Sequence, residues 1–193
     1  MFCAVVLCAA FAFAAHAQQS TTPSAVKVGS SPAMPSGMSF SYDAQRGVIS
    51  PSGIQLKTTT KKSDSVSPTS GWIDVTININ LRQTFESGTT FHCSINAIGG
   101  KIDTDKGIVD GGIENSNTFA TMTGPSSAAC KVKIPFWWTL SNDPGADSGL
   151  IIAYGVAAVN THDEVEHSTL QVDGIENLPA NGSTSNFKFT VDL

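Results

Sequence analysis

The sequence predicts an all-β fold, a two-sheet antiparallel sandwich behind a flexible N-terminal arm. Three observations carry that expectation. Apolar and polar residues alternate with a period of two along most of the chain after residue 70; no stretch shows a capped 3.6-residue period; and Gly, Pro, Asn and Ser clusters separate the alternating runs. About six to nine short strands joined by such turns suffice for two packed sheets. At 193 residues the chain has room for one domain with short extensions, since domains most often run to roughly 100 to 150 residues.

Residues 1–17 contain 16 apolar residues, His16 and no charge, and end in Ala15-His16-Ala17, the small-x-small pattern that signal peptidase accepts. A signal peptide cleaved before Gln18 is expected, and with it a secreted or periplasmic protein. The run falls short of the about 20 apolar residues that span a bilayer, so no transmembrane segment is expected in the mature chain. Residues 18–37 are mostly Ser, Thr, Pro, Ala and Gly and hold little apolar surface to offset the entropy of ordering. This is the flexible arm, and residues 38–193 are the single sandwich domain, with its core at about 70–193.

Within the domain, Met38-Ser39-Phe40-Ser41-Tyr42 alternates and suggests a short first strand, with others at Val48-Ile49 and Ile54-Gln55-Leu56. Residues 58–70 read as a linker or surface loop. The clearest strand is 72–82, where Ile73, Val75, Ile77, Ile79 and Leu81 alternate with Asp74, Thr76, Asn78, Asn80 and Arg82. Glu86-Ser87-Gly88 supplies a turn. Phe91, Cys93, Ile95 and Ala97 then form the inward row of a strand that Gly99-Gly100 is expected to stop. After a short strand at 118–123 and a Gly124-Pro125 turn, Ala128, Cys130, Val132 and Ile134 form another inward row. Residues 150–159 are apolar on both faces, as in a central strand covered on both sides or in an interface. Phe187, Phe189, Val191 and Leu193 alternate to the last residue.

Cys3 and Cys8 depart with the leader, which leaves Cys93 and Cys130 as an even pair in an oxidising compartment. Both lie on inward rows, neither is in a C-x-x-C or zinc spacing, and a structural disulfide between them is expected. On the chain-entropy estimate it is worth about 4 kcal/mol.

The passages Gly88-Thr89-Thr90-Phe91-His92-Cys93-Ser94, Ala128-Ala129-Cys130-Lys131-Val132-Lys133-Ile134-Pro135-Phe136-Trp137-Trp138 and Leu178-Pro179-Ala180-Asn181-Gly182-Ser183-Thr184 resemble exported bacterial proteins of unassigned function with an immunoglobulin-like β-sandwich. The resemblance covers about residues 70–193, implies an immunoglobulin-like arrangement of the sheets and carries no catalytic motif. The cysteine spacing is shorter than in true immunoglobulin domains, and no Trp lies between the two cysteines.

Composition excludes several functions. A net charge of −5, from 11 bases and 16 acids, argues against nucleic-acid binding and polybasic membrane adhesion. There is no G-x-S-x-G elbow and no Gly-rich phosphate loop before a helix, and no cofactor is expected. Asp103, Asp105, Asp110 and Glu114 are the candidate metal ligands, with the first-to-twelfth spacing of a calcium loop between Asp103 and Glu114. Ile108 replaces the turn glycine, so a solvated acidic hairpin loop is expected rather than a metal site. His162-Asp163-Glu164-Val165-Glu166-His167 places its histidines five apart instead of four, which makes it a charged loop between strands. Trp137 and Trp138 are adjacent, so one points in and one out. If the Cys130 register runs through Pro135, Trp138 is core and Trp137 is the candidate binding residue; a bulge at Pro135 would exchange them.

The function these features imply is that of an exported non-enzymatic module that binds a protein or glycan at the cell surface, or contributes to cell-surface structure. A pilus-type or adhesin subunit whose arm adds as a strand to a neighbour is one alternative. A hydrolase using carboxylates of the 103–114 or 162–167 segments is the other.

Overall fold

The computed structural model describes residues 24–27, 35, 37–57, 67–103, 108–140, 147–175 and 178–193. Among these there is no helix. The strands are β1 (Ser24–Lys27), β2 (Ser39–Asp43), β3 (Val48–Ser52), β4 (Gln55–Lys57), β5 (Ser67–Asn80), β6 (Thr90–Asp103), β7 (Ile108–Phe119), β8 (Thr121–Gly124), β9 (Ser127–Leu140), β10 (Asp147–Val159), β11 (Val165–Ile175) and β12 (Thr184–Asp192). The expected leader lies outside the described residues, as does most of the 18–37 arm. Four residues of that arm form β1, which pairs antiparallel with β2 of the same chain.

A four-stranded sheet, in the order β12-β5-β9-β8, faces a five-stranded sheet, β11-β10-β6-β7-β4. Their inward rows make one apolar core. Ile73, Val75, Ile77 and Ile79 of β5 and Val132 and Ile134 of β9 meet Ile95 of β6 and Leu150, Ile152 and Val156 of β10. Cys93 and Cys130 are bonded inside it, so the disulfide joins β6 of one sheet to β9 of the other. The chain changes sheet at Ala120, passing from β7 of the larger to β8 of the smaller.

Most strand pairs are antiparallel, as expected, but β12 runs parallel to β5 and β4 parallel to β7. The β12 pairing follows from the route of the chain. β11 ends in the five-stranded sheet, and the crossing returns beside Trp72, where the Trp72 amide donates to the Ser183 carbonyl. From that end β12 can only run in the direction of β5.

The pair Gly99-Gly100 does not stop β6, which continues to Asp103, and β7 occupies 108–119 where a short strand was expected only from 118. The reason is a neighbour distant in sequence. Gly99 lies directly opposite Gly112 in the β6–β7 register, and the indole of Trp138 fills the space both lack side chains to fill. A Cβ on Gly99 would stand 2.1 Å from a Trp138 ring carbon, and one on Gly112 would stand 2.5 Å from another. The glycines are therefore the floor of an indole socket rather than strand breakers.

A third sheet, β1-β2-β3, covers the other face of the five-stranded sheet. It explains why β10 is apolar on both faces. Leu150, Ile152, Tyr154, Val156 and Ala158 look into the main core, while Ile151, Ala153, Ala157 and Val159 pack with Met38, Phe40, Tyr42 and Ile49. The Tyr42 ring lies over Gly155, where an added Cβ would come within 2.9 Å of it. This second core also encloses polar groups: Ser94 and Asn96 of β6 are buried. Asn96 donates to the Asn115 carboxamide oxygen at 2.7 Å, and the Tyr42 and Ser94 hydroxyls face each other without closing a well-formed hydrogen bond.

Candidate functional site

The candidate site lies on the outward face of the four-stranded sheet. Burial alternates along β9 without interruption from Ser127 through Pro135 to Thr139, so no bulge exchanges the two tryptophans. Trp138 is 1 % exposed and stacks on Phe136 with ring centroids 4.5 Å apart, whereas Trp137 is 74 % exposed. Pro135 is tolerated because its nitrogen points away from β5. It sits opposite Trp72, whose amide is turned toward β12, and the pair is therefore a non-hydrogen-bonded one.

Strand register lays the face out as a grid. Trp72 of β5 stands opposite Pro135, and Trp137 is two residues further along β9 opposite Ser70, so the two tryptophans are diagonal neighbours roughly 7 to 8 Å apart at their Cα atoms. Trp72 is 43 % exposed, with the Lys133 Nζ 4.9 Å from its ring centroid. Below them, the next outward pair is Asp74 with Lys133, followed by Thr76 flanked by Lys131 and by Lys188 of β12. Lys131, Lys133 and Lys188 are exposed, and none forms an ion pair with a carboxylate among the described residues. At the far end Asp192 is committed to Arg82 at 3.2 Å and to Asn80 at 2.8 Å, which together hold its carboxyl below the usual range.

Trp72 is the member of this face that was not singled out from sequence. Its signal was present, because it precedes Ile73 in an alternating strand and so belongs to the wet face. What sequence lacks is the pairing of β5 with β9 that sets it beside Trp137.

The four candidate metal ligands are placed as follows. Asp105 lies outside the described residues. Asp103 ends β6, while Asp110 and Glu114 lie in β7 rather than in a loop, because the hairpin strands extend past the glycine pairs. Asp110 is buried. The Glu114 carboxylate accepts the Trp137 backbone N–H at the flank of β9 that short β8 leaves uncovered, and the Trp138 indole N–H leans toward it without a close hydrogen bond. Burial pushes the Glu114 carboxyl up, and these two donors oppose the shift. Among the described residues, no three His, Cys, Asp or Glu side chains gather closely enough to hold a metal ion.

Only 162–164 of the expected charged loop form a turn, since Val165, Glu166 and His167 already belong to β11, and several polar groups here are held by neighbours. The Asn160 side-chain oxygen accepts the backbone N–H groups of His162 and Glu164, each at 2.9 Å, and Asp163 takes a positive φ of 61°. Glu166 accepts the Thr89 hydroxyl at 2.8 Å. Among the described residues, cavities are formed elsewhere, two of them well defined. One of about 550 Å³ is bordered by residues including Arg82, Phe85, Glu86 and Met122. The other, of about 400 Å³, lies between β3 and the β6–β7 pair and is lined by neutral groups such as Asn96, Asn115 and Asn117. None of the carboxylates of 103–114 or 162–167 lines either one. Among the described residues, no helix is long and apolar enough to cross a membrane.

No protein-family model matches this chain, and no curated protein or solved structure shows significant similarity to it.

Proposed function

We propose that the protein is an exported, non-enzymatic binding module with an immunoglobulin-like sandwich, and that the outward face of β12-β5-β9 engages glycans at the cell surface. The observation that carries this reading is the pairing of two exposed tryptophans on one open sheet face. A large aromatic left in water on a rigid strand is available to stack on the apolar face of a sugar ring, and burying one supplies about 2 to 3 kcal/mol from area alone. Export is supported by the uncharged apolar leader and by a disulfide buried between the sheets, a bond that persists in oxidising compartments. The non-enzymatic part is supported by the engagement of Glu114, Glu166 and Asn160 in local structural hydrogen bonds.

A glycan screen of the disulfide-intact protein tests the reading, with Trp137→Ala compared after circular dichroism shows an unchanged fold. Retention of glycans by the wild type and loss of at least tenfold in affinity by the variant is expected. Equal binding by both proteins would remove the face from consideration.

A further inference from the structure

We infer that the ligand of this face is an acidic polysaccharide, a linear glycan bearing carboxylates, rather than a neutral one. The inference rests on the glycan-binding reading above and adds charge to it.

The protein as a whole is acidic, with a net charge of −5, yet the outward face of the four-stranded sheet is not. Lys131, Lys133 and Lys188 project from it, and the Arg82–Asp192 pair at its end cancels internally. Asp74, opposite Lys133, is the remaining acid among the paired positions between Trp72 and Thr76. Cationic groups collected on one face of an acidic molecule set up a local field that attracts anions to that face and repels them elsewhere.

The positions of the charges select among anions. The three ammonium groups come from two strands separated by β5, and Lys131 and Lys133 are two residues apart along β9, about 7 Å. No arginine fork is present within this lysine field to clamp a single carboxylate or phosphate in two-point geometry. Separate point charges beside an aromatic platform match a chain that repeats both a stacking surface and a negative group along its length. The two tryptophans and three lysines are spread over three neighbouring strands rather than gathered at one point, so an extended polymer reaches more of them than a single sugar does. An acidic peptide would satisfy the lysines but gives no sugar face for Trp137.

The test is a binding titration of the intact, oxidised protein with polygalacturonate, a neutral glucan of similar length and poly-glutamate. Wild type, Trp137→Ala and the triple variant Lys131→Ala, Lys133→Ala, Lys188→Ala are compared. The substituted side chains are all exposed, and thermal melts confirm that the folds are equal. Polygalacturonate is expected to bind at least tenfold more tightly than the glucan, to weaken at least tenfold in each variant, and to weaken steeply between 50 and 500 mM salt, roughly the range over which the screening length falls below the lysine spacing. If the glucan binds as well as polygalacturonate and the lysine variant is unaffected, the charge inference fails and the glycan reading survives. Binding of neither polysaccharide overturns both. Poly-glutamate binding as tightly as polygalacturonate, with no dependence on Trp137, shows charge recognition without a sugar and also overturns the inference.

Discussion

The five-stranded sheet is packed on both sides, and its two interfaces are built differently. Toward the four-stranded sheet it meets long, regular strands through an apolar core crossed by a disulfide. Toward the three-stranded sheet it meets short strands, and the apolar contacts are interrupted by Tyr42, Ser94 and Asn96, some of whose polar atoms are buried without partners. The first interface is closed at a fixed spacing by a covalent bond. The second is held by side-chain packing and a few hydrogen bonds, and its thin cover has more freedom to settle after a perturbation.

Neighbouring residues of β10 turn that difference into a measurement, because Ile152 faces the main core and Ile151 the second, and both are fully buried. Ile→Ala substitutions in cores cost about 2 to 5 kcal/mol, more where the cavity cannot collapse. Ile152→Ala is expected near the top of that range and Ile151→Ala near the bottom, by urea denaturation. The reverse order would break the comparison. Converting Cys93 and Cys130 to Ala is expected to cost about 4 kcal/mol from the freed loop, with the loss visible as a lower urea midpoint. Amides of β5 and β9 should then exchange faster, while those of β2 and β3 change little.

Gly112→Ala probes the indole socket. It is expected to cost about 1 to 3 kcal/mol by overpacking, and appreciably less in a Trp138→Leu background, where the ring that meets the new methyl is gone. Additivity of the two substitutions would show that the socket is not what fixes the glycine. Tyr42→Phe, in the second core, is expected to change stability by less than about 1 kcal/mol, since the lost hydroxyl has no well-formed hydrogen bond to forfeit.

The smallest expected effect is a pH dependence. Burial raises the Glu114 carboxyl in the folded protein, so the stability linked to this group is fully present below its unfolded pKa and is lost as pH rises through the raised folded value. Glu114→Gln should flatten the stability profile just above the ordinary carboxylate range. An unchanged profile would mean that the carboxyl titrates normally.

The main core was legible in the sequence because its strands alternate cleanly. Ile73 through Leu81, Phe91 through Ala97 and Ala128 through Ile134 each announce one dry face, and the two cysteines fall on those faces. Trp137 was legible for the same reason, as the residue opposite Trp138. The second core was legible only in pieces: Met38, Phe40 and Tyr42 alternate as one strand of its cover, and the run at 150–159 is too apolar for a one-sided strand. Nothing local joins the two, because they pack together across more than 100 positions of chain and the floor between them includes the polar Ser94 and Asn96. Gly99 was misread because the indole it accommodates lies 39 positions away at Trp138, and local turn chemistry carries no information about such a neighbour.

The two-sided apolar strand also has a consequence for colloidal behaviour. Residues 150–159 combine branched and small apolar side chains with no charge and no proline, the composition of segments that stack into cross-β fibrils when exposed. In the folded protein β10 lies between β6 and β11, with a sheet over each face. The three-stranded sheet is thus a shield as much as a structural layer. Peeling it away would present Ile151, Ala153, Ala157 and Val159 to other chains, and solubility would fail before the main core unfolded.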